Sequence, residues 1–274
     1  LQCFESADPG AACDANGESV SSFTDARWLE AFRADNVAPT YFRFVAGGET
    51  VGVAAGLRTQ SRHRLLQGIS KGLCLHTGTV PLNGDPGLAT DCFNCFYDYV
   101  VRNRYVSLLV GSYDYQYNYQ ILPVGVNRRI RDEYVLDLSC SLDELTKKLS
   151  KTRRQGINRV KKIGIVVKQA GVGSIVDLIT VINCTKKKKT ISGYGSYNPY
   201  YAYFLTEVVL GRLIESGIAR LYVAKLDGEL LSANFVVINQ ERAYALLGGS
   251  TPTGYQLNVG SFLDWRTIEL LKAE

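Results

Sequence analysis

Leu221-Tyr-Val-Ala-Lys-Leu-Asp-Gly-Glu-Leu-Leu-Ser-Ala-Asn-Phe-Val-Val237 reads as strand, tight turn, strand. Asp227-Gly228 is a strong hairpin signal, because a two-residue turn that follows strand twist needs positive φ at its central positions. Tyr41-Phe-Arg-Phe-Val-Ala-Gly-Gly-Glu-Thr-Val-Gly-Val-Ala-Ala55 reads the same way, and Gly48-Glu49 and Gly228-Glu229 stand 180 residues apart. An amphipathic helix precedes each hairpin: Asp25 to Ala34 with Trp28 and Phe32, and Pro199 to Ser216 with Phe204, Leu205, Val208, Val209 and Leu213. A further strand and helix follow each. Two copies of one α/β unit explain this pattern better than one large domain.

Beyond the second hairpin, Ala243 to Gly248 reads as a strand running into Gly249. Thr251 to Gln256 reads as a polar turn, and Gly260 to Lys272 as a helix with the apolar stripe Phe262, Trp265, Ile268 and Leu271. In the first half, Tyr105 to Gly111 reads as a buried strand and Glu133 to Leu138 as another. Between the copies, Ser141-Leu-Asp-Glu144 fits a capping box. Leu142, Leu145, Leu149, Ile157, Val160 and Ile163 then recur at helical spacing, with a gap near Thr152, up to a stop at Gly164. A strand from Ile165 to Lys168 comes next. The expected organisation is an N-terminal domain over 1–140, a basic linking helix over 141–164 and a C-terminal domain over 165–274.

The chain has 274 residues and a net charge of +5, unevenly placed. Residues 147–189 carry 13 Lys or Arg and one acid, Asp177, whereas the rest is mildly acidic. So dense a run is costly in self-repulsion unless a ligand neutralises it, which makes it either a solvated helix face or an anion site. No apolar run approaches the roughly 18 residues needed to span a bilayer. Leu1 to Gly10 shows neither the basic nor the apolar region of a signal peptide. Seven scattered Cys, an odd number, suit reduced thiols and a cytoplasmic location. Cys92 and Cys95 share a helix face from Thr90 to Arg104 and read as structural thiols, since no second pair completes a zinc site. His63 and His76 have no nucleophile elbow near them, so a Ser-His-Asp hydrolase is not expected.

A family resemblance enters through the second half. Tyr134-Val-Leu-Asp-Leu-Ser139, Leu142-Asp-Glu-Leu145 and Leu149-Ser-Lys-Thr-Arg-Arg-Gln-Gly-Ile-Asn-Arg-Val-Lys-Lys-Ile-Gly-Ile165 resemble the start of the second domain in Fem-type proteins. So do the hairpin at 221–233 and Tyr255-Gln-Leu-Asn-Val-Gly-Ser-Phe-Leu-Asp-Trp-Arg-Thr-Ile268. The similarity is to GNAT-fold Fem aminoacyltransferases and CelD-like acetyltransferases, and covers about residues 130–274. It implies an α/β (α+β) fold of two tandem GNAT-like domains, with mixed central sheets flanked by helices. It also implies acyl transfer to an amine of a cell-wall, peptidoglycan or other polysaccharide precursor that is nucleotide- or lipid-linked. The donor would be acetyl-CoA (acetyl-coenzyme A) or aminoacyl-tRNA, with no metal and no tightly bound cofactor. The Arg/Gln-x-x-Gly-x-Gly/Ala pyrophosphate signature of coenzyme A users is absent, which weakens coenzyme A as donor. Family members continue past the last helix into a strand that walls the donor cleft, so the C-terminal domain is expected to be incomplete at Glu274.

By that resemblance the acyl donor lies at the strand end Leu247, Gly248 and Gly249 and at the helix start Asn258, Val259, Gly260 and Ser261, where free N–H groups point outward. Tyr255 and Tyr244 are candidate acids and Asp264 a candidate base. Arg153, Arg154, Arg159, Lys161 and Lys162 are candidates for phosphate or acceptor binding. Tyr194-Gly-Ser-Tyr-Asn-Pro-Tyr-Tyr-Ala-Tyr203, after Lys186 to Lys189, suits either a nucleotide or sugar ligand or a helix start packed into a core. Tyr113, Tyr115, Tyr117 and Tyr119 alternate, as on one face of a strand. The competing reading is a non-catalytic RNA- or polyanion-binding protein that uses 147–189.

Overall fold

The computed structural model describes residues 1–14, 17–114, 117, 123–129, 132–194, 204–239 and 242–273. The chain divides into two compact units, Leu1–Arg129 with Ala202–Val209, and Ile130–Tyr201 with Leu210–Glu274.

The first unit holds β1 (Gln2–Ser6), α1 (Ala26–Ala31), β2 (Val37–Ala46), β3 (Glu49–Thr59), β4 (Gly72–Leu75), β5 (Val80–Pro81), α2 (Pro86–Arg102) and β6 (Ser107–Val110). Its sheet runs β1-β2-β3-β4-β6, with β5 also on β3; only β4 and β6 are parallel. Gly47 and Gly48 take positive φ at the β2–β3 turn, as that turn requires. Phe42, Phe44, Leu75, Cys92 and Phe96 form the core between sheet and α2. Glu5 ties β1 to its neighbours: its carboxylate accepts from the hydroxyls of Thr40 at 2.8 Å and Tyr99 at 2.6 Å. Burial and that carboxylate together push the nearby Tyr105 phenol up to about 12. Among the described residues β6 is an edge strand with Leu109 exposed, not the buried strand its apolar composition suggests. The CxxC sits on α2 as free thiols, and His76 is a core residue that accepts from the Trp28 indole at 3.1 Å. α2 starts four residues earlier than expected because Pro86 follows Asp85, whose carboxylate caps Gly87 N–H.

The second unit holds α3 (Leu142–Lys148), α4 (Lys151–Lys161), β7 (Val166–Ala170), α5 (Ile175–Ile191), most of α6 (Glu207–Glu215, whose first three residues fall in the first unit), β8 (Ala219–Leu226), β9 (Glu229–Asn239), β10 (Arg242–Ser250), α7 (Pro252–Gln256) and α8 (Val259–Lys272). Its sheet runs β10-β9-β8-β7, antiparallel at every described pairing, so the mixed character lies in the first sheet. The capping box at Ser141 and Glu144 is formed. The single basic helix is in fact two. Leu149 is extended, and Ser150 starts α4 by accepting from Arg153 N–H. Ile157, Val160, Val259, Phe262 and Leu263 then bury α4 and α8 against the sheet at Tyr222 and Val236. Glu133 to Leu138 is not a strand; Tyr134 and Val135 stand in solvent, with no partner strand among the described residues. Thr251 to Gln256 contains a helical turn rather than a plain polar loop, because Thr251 caps Gly254 N–H at 3.1 Å and Pro252 fits the first helical position.

Candidate active site

The second hairpin opens a bulge that the site is built on. Ala224 faces Ser232 and Lys225 faces Leu230, which leaves Leu231 as the extra residue. Its carbonyl accepts the Thr251 N–H at 2.9 Å and so anchors the start of α7. Gly254 packs so tightly on that carbonyl that a Cβ has no room there. On the other side of β9, β10 carries a second bulge between Ala245 and Leu247. Leu246 is therefore the residue without a partner across the ladder, and pairing with β9 resumes at Leu247 and runs through Gly248 and Gly249 to Ser250.

A cleft of about 370 Å³ follows, lined by Ser232, Asn234, Gly248, Gly249, Ser250, Gly254, Tyr255, Asn258, Gly260, Ser261 and Asp264. Seven of the residues singled out by sequence meet here: Gly248, Gly249, Tyr255, Asn258, Gly260, Ser261 and Asp264. Leu247 and Val259 are buried, and their side chains face protein rather than the cleft. Tyr244 is not on the lining; its hydroxyl donates to Glu133 at 2.8 Å.

The glycines make the space. A Cβ at 248 would come within 2.5 Å of Asn234 Oδ1, and one at 249 within 2.6 Å of the Val181 carbonyl. The floor is the N-terminus of α8. Asn258 takes left-handed φ of 60° and makes no side-chain cap, so the first-turn N–H groups have no capping side chain.

One wall carries the titratable groups. Asn234 donates its amide to Asp264 Oδ1 at 2.8 Å. The Asp264 carboxylate opens on the cleft but is crowded by protein; this desolvation raises its pKa, against the Asn234 hydrogen bond and the Arg153 charge. Arg153 is thus the cation of α4 whose field reaches the cleft. Arg159, Lys161 and Lys162 are exposed farther along that helix, and Arg154 is half-buried. Tyr255, on the lining, is backed by residues of α5. Thr185 Oγ1 lies 2.9 Å from the Tyr255 hydroxyl, and Lys188 Nζ sits 3.4 Å from the Tyr255 ring centroid.

Ser232, Asn234, Ser250, Thr185 and Lys188 were missed by sequence reasoning. Ser232 and Asn234 did carry a signal, two polar side chains on one face of an otherwise apolar strand. Residues 195–203, Tyr115 and Tyr119 lie outside the described residues. Among the described residues no cluster could hold a metal ion, and no helix is long and apolar enough to cross a membrane.

Residues 147–274 match the family model of the acetyltransferase (GNAT) domain. No curated protein matches the sequence. Among solved structures, the crystal structure of FemX is similar with a TM-score of 0.59 and 13% identity, over 89% of this chain and 79% of that one. A conserved protein of unknown function from Bacteroides thetaiotaomicron gives 0.50 and 12% identity, over 95% and 81%. The C-terminal domain of a putative lysylphosphatidylglycerol synthetase from Agrobacterium fabrum gives 0.48 and 14%, over 92% and 71%. Residues 147–274 thus match a GNAT-type acetyltransferase domain, in a chain whose fold is similar to that of FemX, and the enzyme class is acyltransferase.

Proposed function

We propose that the cleft of the second unit transfers an acetyl or aminoacyl group, from coenzyme A or aminoacyl-tRNA, to an amine of a nucleotide- or lipid-linked cell-wall or polysaccharide precursor in the cytoplasm. The observation that carries this reading is the convergence of an uncapped helix start, a glycine strand end just past a bulge, a phenol and a crowded carboxylate on one cleft. Donor phosphates would lie against Gly260 and Ser261 N–H, with Arg153 and Lys188 supplying positive charge from two sides. Asp264 takes a proton from the acceptor amine, and the amine nitrogen attacks the donor carbonyl carbon. Backbone N–H groups of β10 receive the charge that develops on the carbonyl oxygen. The carbon–sulfur or carbon–oxygen bond to the carrier breaks, and Tyr255 gives its proton to the departing atom.

The test is transfer of label from acetyl-coenzyme A, and separately from an aminoacylated RNA minihelix, to a panel of amino sugars and amine-bearing glycan precursors. Transfer from either that is lost on Gly260→Asp supports the reading; full activity of that variant rejects the assigned donor site. A second reading has its own observation. Lys151, Arg153, Arg159, Lys161 and Lys162 are all exposed on α4, and no acid occurs between Glu144 and Asp177. Polyanion binding without transfer would then fall steeply with salt.

A further inference from the structure

The hydrogen bonding of Thr185 on α5 fixes which way the Tyr255 proton points. Thr185 is 6% exposed. Its hydroxyl has one proton and two lone pairs. Its partners among the described residues are two, the Ser250 N–H at 3.3 Å and the Tyr255 hydroxyl at 2.9 Å. The Ser250 N–H can only donate, so it fills one Thr185 lone pair. The other threonines along the exposed side of the same helix behave differently. Thr180 and Thr190 donate back to the carbonyls of Val176 at 2.7 Å and Lys186 at 3.0 Å. Thr185 makes no such bond. The one acceptor left for its proton is the Tyr255 oxygen, and a buried hydroxyl proton without an acceptor is costly.

We infer that Thr185 is a positioning residue: it donates to the Tyr255 oxygen and so turns the phenolic proton away from the protein and into the cleft. Tyr255 is half-buried and lines that cleft. The Lys188 ammonium over its ring holds the ring plane, which leaves the hydroxyl rotor as the remaining freedom. Thr185 sets that rotor. Anchored in turn by the Ser250 backbone at the end of β10, it couples the acid to the strand end where the donor carbonyl would sit. The inference rests on the reading of Tyr255 as the acid that protonates the leaving atom.

The orientation is testable without a donor. Full-length protein labelled with tyrosine enriched in carbon-13 at the ζ position is placed in equal parts light and heavy water, with the Tyr255 line identified by its loss in Tyr255→Phe. A proton facing the cleft exchanges fast and gives one averaged line. A proton donated into the buried Thr185 is held, and two resolved lines would overturn the inference. Thr185→Val should shift the Tyr255 line and Thr185→Ser should return it; an unmoved line in Thr185→Val would also overturn it. In transfer assays with acetyl-coenzyme A and the aminoacylated minihelix, Thr185→Val should lower kcat about tenfold with KM within about twofold, and Thr185→Ser should restore it. Full transfer by Tyr255→Phe defeats the acid reading itself, a result separate from the two-line spectrum, which defeats the orientation alone.

Discussion

The two units repeat one another to the residue along their first three strands and part company at the fourth. Gln2 faces Val45 in the first sheet as Val166 faces Lys225 in the second. The hairpin bulges fall at Val51 and Leu231, again 180 residues apart. Both bulge carbonyls accept a backbone N–H at 2.9 Å, from Leu82 and from Thr251. The difference comes next. In the second unit β10 runs past Leu246 to place Gly249 opposite Ala233 and Ser250 opposite Ser232. In the first, the same places hold Val80 opposite Val53 and Pro81 opposite Gly52. Asn234 corresponds to Ala54, so the polar wall is gone. The long helix of the first unit, α2, is capped by its own carboxylate, Asp85, whereas in the second unit Asn258 leaves the long helix α8 uncapped. One copy has closed its helix N-terminus with an internal anion; the other has no side-chain cap there.

The sharpest way to break this comparison is at the carboxylates six residues past each cap, Asp264 and Asp91. Asp264→Asn should lower kcat roughly a thousandfold, and Asp91→Asn should leave it unchanged. Rate should rise with pH through a pKa above the usual carboxylate range. Asn234→Leu removes the donor that favours the charged form, and should move that limb to higher pH. Stability has the opposite sign. The raised native pKa means the folded chain holds this proton at a pH where the unfolded chain has lost it. Stability therefore falls as pH rises from the ordinary carboxylate value through that of Asp264. Asp264→Asn should raise Tm at neutral pH and not at acid pH, as thermal melts across pH would show.

Next in size is Asn258→Asp, which gives α8 the internal anion that α2 already has. Donor affinity should drop roughly a hundredfold through like-charge repulsion with the donor phosphates, while melting stays within a few degrees. An unaltered donor affinity would mean that the helix start is not the phosphate site. Gly249→Ala forces a Cβ onto Thr185 Oγ1 and the Val181 carbonyl, and should cost about 1–3 kcal/mol in denaturant unfolding along with activity. Gly52→Ala meets Cys92 Sγ at 2.8 Å and should cost stability of that order with turnover per folded molecule unchanged. The smallest effect is at the closed cap. Asp85→Ala should lose about 1 kcal/mol of stability and no activity.

Much of this was legible in the sequence, for physical reasons that particular residues show. Asp227-Gly228 and Gly47-Gly48 announce their turns because positive φ excludes most side chains. The capping box at Ser141 is a local contact and was readable as such. Gly248, Gly249 and Gly260 were located through family resemblance, and their common cleft depends on register that no local pattern encodes. Thr185 and Lys188 reach the site from a helix some 60 residues away, with nothing in their own stretch to separate them from a solvated lysine run. Glu133 to Leu138 has strand composition but lacks a partner strand among the described residues, and composition cannot report partners. The break at Ser150 was hidden because Leu149 kept the apolar period while the backbone left the helix.

We propose that the open start of α8, and not the capped start of α2, receives the donor's phosphates. Backbone amide NMR of the full-length chain during titration with acetyl-coenzyme A, and with an RNA minihelix ending in the aminoacyl-acceptor sequence, tests it most directly. At least one donor should saturate, with its largest shifts at the Gly260 and Ser261 amides and none at Gly87. Saturable binding that leaves Gly260 and Ser261 unmoved, or binding of neither donor by the folded chain, would contradict it.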